Sequence, residues 1–437
     1  EGGLDEEAVE FWREAGELAI ARSAAHEAVA HLESALRILA RFPESRHRDR
    51  TELGLQTSLG GALIAARSFA APETGRAFAR AWELCQRIGD DSRLCPVLFG
   101  RWIHHIARAE LELSLAAAGE LMRLAQGQAD PVPRIVAQRA LANSHFFGGD
   151  LVATRTHAEQ ALAGYAPGQR PDLAVRYAAD PYVLSAYFLA HALLRLGYAD
   201  RARPHAADAL ARARELGHLL TMAHALHHDC LFHQLARDGQ AVRQHADALI
   251  ALADEHGLPF WQALGRIFRG WALVEAGQGG RGADELRAGL AAYRTTAGTL
   301  YLPYALALWG EACRARGALQ EGLDAVAEAK RVIEATGVRG FEADLLGVEG
   351  ELHRAGGDLD AATECLQRAI AVARRQQARL PELRAAVALA GLWREAGRRD
   401  DAYNLIAPLY AWFTEGAATP DVRAAATLLG QLARAPA

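Results

Sequence analysis

Four glycines, Gly277, Gly317, Gly357 and Gly397, stand forty positions apart, and that period constrains the fold more than any other feature of the chain. Each lies between two apolar, Ala-rich segments of about 15 to 18 residues, long enough for helices and without the two-residue alternation of a half-buried strand. A glycine between such segments marks a helix-to-helix turn. Seven positions before each turn stands a small residue (Gly270, Gly310, Gly350, Ala390), and five after it stands another (Gly282, Gly322, Ala362, Ala402). Two helices approach to about 8–10 Å only where the side chains between them are small, so these positions read as the crossing of a helix A on a helix B. Units of this kind bury their faces against their neighbours, and the chain reads as a helical solenoid.

A third small residue follows twelve positions after the first three turns, at Gly289, Ala329 and Ala369, whereas the fourth unit has Leu409. Small, twelve on, seven on, with a turn glycine between, is the internal spacing of a tetratricopeptide unit. Carried backward, the template fits Gly16, Ala28 and Ala35, then Ala62, Thr74 and Ala81, with Pro72 near the start of a helix B, then Ala142, Thr154 and Ala161, and Ala190, Ala202 and Ala209. A further unit carries Ala241 and Ala248, and the segment from Ser92 to Gln128 is helical by periodicity but fits no single register. The expected fold is therefore all-α, a tetratricopeptide-like right-handed superhelix of about ten helix pairs with a closing helix from Pro420 to Arg434. Such units usually repeat every 34 residues or so, and the longer pitch here predicts a wider superhelix. Gly164, Pro167, Gly168, Pro171 and Pro181 form the longest breaker-rich segment, so residues 166–181 read as a loop or hinge between repeats 1–165 and 182–437, with Asp180 as a helix N-cap.

At 437 residues the chain is too long for one ordinary core, a limit that a solenoid escapes. Hydrophobic residues make up 51% and charged residues 23%, which predicts a chain folded throughout. The net charge is −5 and arginine is spread over every unit, so nucleic acid is not an expected partner. The five cysteines, Cys85, Cys95, Cys230, Cys313 and Cys365, are widely separated and read as buried thiols of a reducing cytoplasm. No apolar run reaches the roughly 20 residues that span a bilayer, and no membrane association is expected. Helical pattern begins almost at Glu1, as if further domains preceded it.

The sequence contains no GxxxxGK[ST] phosphate loop, HExxH helix, GxSxG elbow or paired CxxC, so no catalysis and no cofactor are expected. Gly277, Gly279, Gly280 and Gly282 imitate a dinucleotide motif but follow a helix where that motif needs a strand. His224, His227, His228, Asp229, Cys230 and His233 form the richest metal-like cluster, with His224 and His228 one turn apart on a helical face at a spacing that would suit zinc, but zinc also wants a second helix to complete its ligands, and no metal is expected at His224, His228 and His233. Partners of a solenoid bind its inner wall, which helix A lines. The template points Asn143 and Arg139, His191 and Tyr187, Trp271 and Ile267, Glu311 and Ala307, and Glu351 and Gly347 inward, with Phe146, Phe188, His227, His233, Tyr304 and Arg314 on the same stripe. The expected site for a protein, peptide or small effector is the concave wall around Tyr187, His191, His227, Trp271 and Tyr304, with Glu311, Phe146 and Asn143. Packing is the competing role for every aromatic residue of that set.

Several strings resemble the C-terminal tetratricopeptide region of bacterial signalling proteins that join a class III nucleotide cyclase, a signal-transduction ATPase of the AAA or a related type, and a helical tail. They are Gly100 to Arg108 (GRWIHHIAR), Gly197 to Ala202 (GYADRA), Phe260-Trp261 with Gly270-Trp271, Arg375 to Ala378 (RQQA) leading into Glu382 to Ala385 (ELRA), and Tyr410 to Gly416 (YAWFTEG) with Thr419 and Asp421. The resemblance implies a sensor or docking tail regulating ATPase or cyclase domains upstream in a parent chain. It transfers no catalytic residue.

Overall fold

The computed structural model describes residues 2–22, 24–89, 93–165 and 172–433. Among them are twenty-two helices and no strand. Ten antiparallel pairs follow one another from α1 (Gly2–Ala21) and α2 (Ala25–Leu39) to α20 (Arg379–Glu395) and α21 (Arg399–Trp412). The pairs that matter below are α5 (Leu94–Ala107) with α6 (Leu111–Ala125), α7 (Val132–Gly148) with α8 (Leu151–Ala163), α10 (Pro181–Arg195) with α11 (Ala199–Leu216), and α12 (Leu219–Leu235) with α13 (Gly239–His256). After them come α14 (Pro259–Glu275) with α15 (Gly279–Thr295), α16 (Leu302–Ala315) with α17 (Leu319–Thr336), and α18 (Glu342–Ala355) with α19 (Leu359–Arg375). The short α9 (Asp172–Arg176) lies between the fourth and fifth pairs, and α22 (Pro420–Ala433) closes the apolar end through Val422, Ala425, Leu428 and Leu432. The fold is a right-handed tetratricopeptide-like solenoid.

The forty-residue period is a period of backbone conformation. Gly197, Gly277, Gly317, Gly357 and Gly397 all have positive φ, between 75° and 98°, and reverse the chain from helix A to helix B. The close crossing is tightest between α14 and α15: a Cβ on Gly270 would lie 2.7 Å from the Gly282 carbonyl oxygen and 2.7 Å from the Leu286 amide nitrogen. Gly310 differs from its expected role. A Cβ there would first meet Val348 Cγ1 of α18, at 2.8 Å, so its smallness serves contact with the next unit as well as with its own helix B.

Asp180 caps α10 as expected, accepting from the Val183 amide at 3.1 Å and from the Tyr165 hydroxyl at 2.8 Å. The loop residues Pro167, Gly168 and Pro171 lie outside the described residues, as do Ser23 of the first turn, Ser92 and Arg434. One apolar core runs from Ile64 to Leu392 through both flanks of that loop. Cys95, Cys230, Cys313 and Cys365 are buried free thiols, and Cys85 is buried too. Among the described residues no helix is long and apolar enough to cross a membrane.

Candidate functional site

The superhelix is wound tightly enough that successive turns touch. Gly340 N donates to Phe147 O at 2.8 Å, Thr299 N to Ala107 O at 3.1 Å, and Ser68 Oγ to Thr296 O at 2.8 Å. Buried Arg195 bridges from α10 to Gly340 O at 2.9 Å and to Asp344 at 2.8 Å. Arg384 of α20 reaches back to Leu235 O at 3.0 Å while pairing with Asp421 and Asp344. Apart from the pairing of Arg384 with Asp344 and Asp421, which lie in adjacent units, each of these contacts joins units that are not neighbours in the repeat.

That winding corrects the expected inner wall at its centre. Phe146, Tyr187, His191 and His227 have no more than 1% of their surface exposed. They fill the middle of the channel, where Phe146 meets Phe341 edge-on at 5.6 Å and His227 meets Tyr301 edge-on at 4.7 Å. Trp271 is 1% exposed and donates its indole N–H to Glu311 at 2.8 Å. It is a core side chain and offers no groove surface. The physical reason is that the loops entering α16 and α18, at Tyr301 and Phe341, close over the aromatic stripe of the middle units. Burial pushes the His227 imidazole down to about 3, and burial with the nearby His227 and Arg195 does the same for His191. Both rings are therefore neutral wherever the protein is folded near neutral pH.

Tyr304 and Glu311 stand instead on the wall of an open cavity of about 230 Å³ between α12, α16, α18 and α20. Small residues, Ala307, Ala343, Gly347, Ala385 and Ala388, form part of its lining. Its walls carry both signs of charge, Arg237, Arg314 and Arg384 against Glu311, Asp344 and Glu351. Arg237 holds Glu311 through two parallel bonds of 2.8 Å, and Tyr304 donates to Gln234 at 2.6 Å. Burial alone would raise the Glu311 carboxyl. The adjacent Arg237 guanidinium outweighs that effect and holds it below the ordinary carboxylate value. Gly347 is not required by packing, since a Cβ there would meet nothing within 4 Å.

Asn143 lies elsewhere, on a smaller cavity of about 50 Å³ between α5, α7, α12 and α14, with Arg139 and His224. His233 does not join His224 and His228 in a ligand set. It lies beside Asp229, its partner in the sequence cluster, and His245 of α13, which sequence reasoning did not add, and these three could hold a metal by distance alone. Asp229 is already engaged by His245 at 2.9 Å and by the Tyr187 hydroxyl at 3.3 Å, which accounts for the cluster by hydrogen bonding. Arg237 was missed as well. Its signal was available, because it occupies the turn position between Gly197 and Gly277 where the other units have glycine.

No family model matches the chain, and no curated protein matches it. Solved structures do. A Rap protein complexed with competence and sporulation factor is similar over 85% of this chain and 99% of its own, at 14% identity and a TM-score of 0.59. The Rap conjugation gene regulator of plasmid pLS20, in complex with the Phr* peptide, is similar over 86% of this chain and 96% of its own, at 12% identity and a TM-score of 0.51. A signal-transduction ATPase with a tetratricopeptide sensor from Pyrococcus horikoshii is similar over 87% of this chain and 54% of its own, at 11% identity and a TM-score of 0.43. At these identities the first two likenesses are of fold.

Proposed function

We propose that this chain is a non-catalytic regulatory solenoid that binds a peptide or an extended protein segment in the cavity between α12, α16, α18 and α20. The observation that carries the reading is that small residues and charges of both signs line one open cavity. Small side chains let a polypeptide backbone approach closely, and pre-paired arginines and carboxylates hold hydrogen-bonding groups in place without ordering cost at the moment of binding. Tyr304 and Glu311 belong to this site, while Trp271 supports it through Glu311. Two neighbours of the same fold are described as complexes with a factor or a peptide, which supports a peptide over a small effector for this cavity.

The test uses the open space above Gly347. Gly347→Trp fills part of the cavity and removes a helix-interior glycine, which by itself favours the helix by about 0.5 kcal/mol. Random peptides selected by display on the wild-type chain should bind at least tenfold more weakly to Gly347→Trp, whose unfolding midpoint is unchanged or raised. Selection of no peptide, or equal binding to the folded variant, refutes the site. In its parent protein the chain would act as the sensor or docking tail of an ATPase or nucleotide cyclase, a role that rests on the local strings given above. The reading frame upstream of Glu1 tests it: absence of both a phosphate loop and a cyclase domain removes that half of the proposal.

A further inference from the structure

The small cavity holds an arginine that the protein does not neutralise. Arg139 is 1% exposed, yet its only hydrogen bond among the described residues is from Nη1 to Tyr177 O, at 3.3 Å. Among the described residues its Nε has no hydrogen-bond partner. The guanidinium lies 5.0 Å from the centre of the Phe99 ring and 5.8 Å from that of Trp102, and these contacts recover only part of the cost. Asp180 lies near enough to feel its charge but spends its oxygens on Tyr165 and Val183. Burial pushes Arg139 down to about 9, against the pull of Asp180, so it still carries its charge at neutral pH.

Around the same space, Asn143 Oδ1 and both ring nitrogens of His224 are buried without a partner. His224 stays neutral, its burial opposing protonation, so it presents one donor and one acceptor. Three neighbouring side chains thus leave polar atoms unsatisfied on one cavity, and structures keep few such atoms without a reason. The remaining walls, Phe69, Trp261 and Tyr301 among them, are aromatic. The space, about 50 Å³, exceeds the roughly 10–15 Å³ that a single water needs and admits a small organic solute.

We propose that this cavity is a binding site for a small carboxylate of two to four carbons, with the anion on Arg139 and further hydrogen bonds from His224 and Asn143. A hydroxyl beside the carboxylate would satisfy the orphaned Asn143 oxygen, which makes a short hydroxy acid the best-matched member of the class. The site also couples to the superhelix. Its walls come from α5 and α7 on one turn and from α12, α14 and the loop at Tyr301 on the next, and the Ser68 to Thr296 and Thr299 to Ala107 bonds close it. An occupant would join consecutive turns and hold the solenoid closed.

The experiment measures the melting temperature and the calorimetric binding of acetate, lactate and glycolate, each against its neutral amide at matched ionic strength. A peptide with a free C-terminal carboxylate and its amidated twin form a second arm, to separate a free acid from a chain end. Expected is binding of the acids, strongest for the hydroxy acids, with no binding of the amides and none of either peptide. Asn143→Ala, which removes only a partly buried side chain, should weaken lactate at least tenfold, and Arg139→Met should abolish binding where it folds. Gly347→Trp should leave it unchanged, which separates this site from the peptide cavity. The proposal is overturned if acids and amides behave alike on the wild type, if only the free-acid peptide binds, or if folded Asn143→Ala and Arg139→Met bind lactate as the wild type does.

Discussion

His227 allows the cost of a buried polar ring to be measured directly. Neither of its nitrogens has a hydrogen-bond partner among the described residues, and the rings of His228, Trp261, Phe268 and Tyr301 surround it at 4.7 to 5.8 Å. Its folded-state value of about 3 lies below the unfolded 6.5, so the native chain binds fewer protons than the unfolded chain throughout that interval. Stability must therefore fall as pH drops from 6.5 toward 3. At about pH 5 the loss from this one group is about 1.36 kcal/mol times 1.5, or about 2 kcal/mol, a large part of an ordinary stability of about 5–15 kcal/mol. His227→Phe keeps the ring and removes both nitrogens. It should raise stability at neutral pH by about 1–3 kcal/mol, less the strain of a slightly larger ring. It should also remove about 2 kcal/mol of the difference between urea unfolding at about pH 7.5 and at about pH 5. The reasoning is refuted if the variant is less stable at neutral pH and retains the full acid slope of the wild type.

Gly270→Ala places a methyl group 2.7 Å from two backbone atoms of α15 that cannot turn aside. The strain of about 1–3 kcal/mol should exceed the helix-propensity gain of about 1 kcal/mol and lower the urea midpoint. Gly277→Ala meets no atom within 4 Å, so its cost, about 1–2 kcal/mol, should come from the left-handed backbone alone, and the two effects should add in the double variant only if the helices do not part. Asp344→Ala strips the carboxylate partner from buried Arg195, leaving it the Gly340 carbonyl, and one partner from Arg384, and should cost about 3–5 kcal/mol with a larger radius of gyration by small-angle scattering. The exposed pair Arg294 with Glu328 is the control, and Glu328→Ala should change stability by less than about 1 kcal/mol.

Much of the repeat was legible because its determinants are local. The turn glycines and the crossing pair Gly270 and Gly282 lie within one unit, where spacing along the chain fixes spacing in space. A second series was overlooked: Gly217, Gly257, Ala297, Gly337 and Gln377 all have positive φ at the ends of the B helices. The forty and eighty positions separating Gly217, Gly257 and Gly337 were its signal, hidden by the alanine and the glutamine. The placement of Phe146, Tyr187, His191, His227 and Trp271 was not legible, since it depends on how far the superhelix rises per turn. A template one unit long assigns those side chains to an inner wall. It contains nothing about Tyr301 and Phe341 arriving from a later turn to cover them.

Arg237 shows how the cavity is built against a local preference. At that turn the five glycines of the series adopt positive φ freely, whereas Arg237 does so at 59°, for about 1–2 kcal/mol. A glycine would remove that strain and leave Glu311, deep in the cavity wall, with Trp271 as its remaining close donor. Breaking a buried ion pair by deleting one partner costs about 3–5 kcal/mol, so the exchange favours the strained arginine. From the left-handed turn its guanidinium reaches a carboxylate 74 positions away and fixes it in a bidentate pair. The turn thus spends local stability on the rigidity of one wall of the cavity, which is where a site that must hold its charges ready for a partner would place such a conflict.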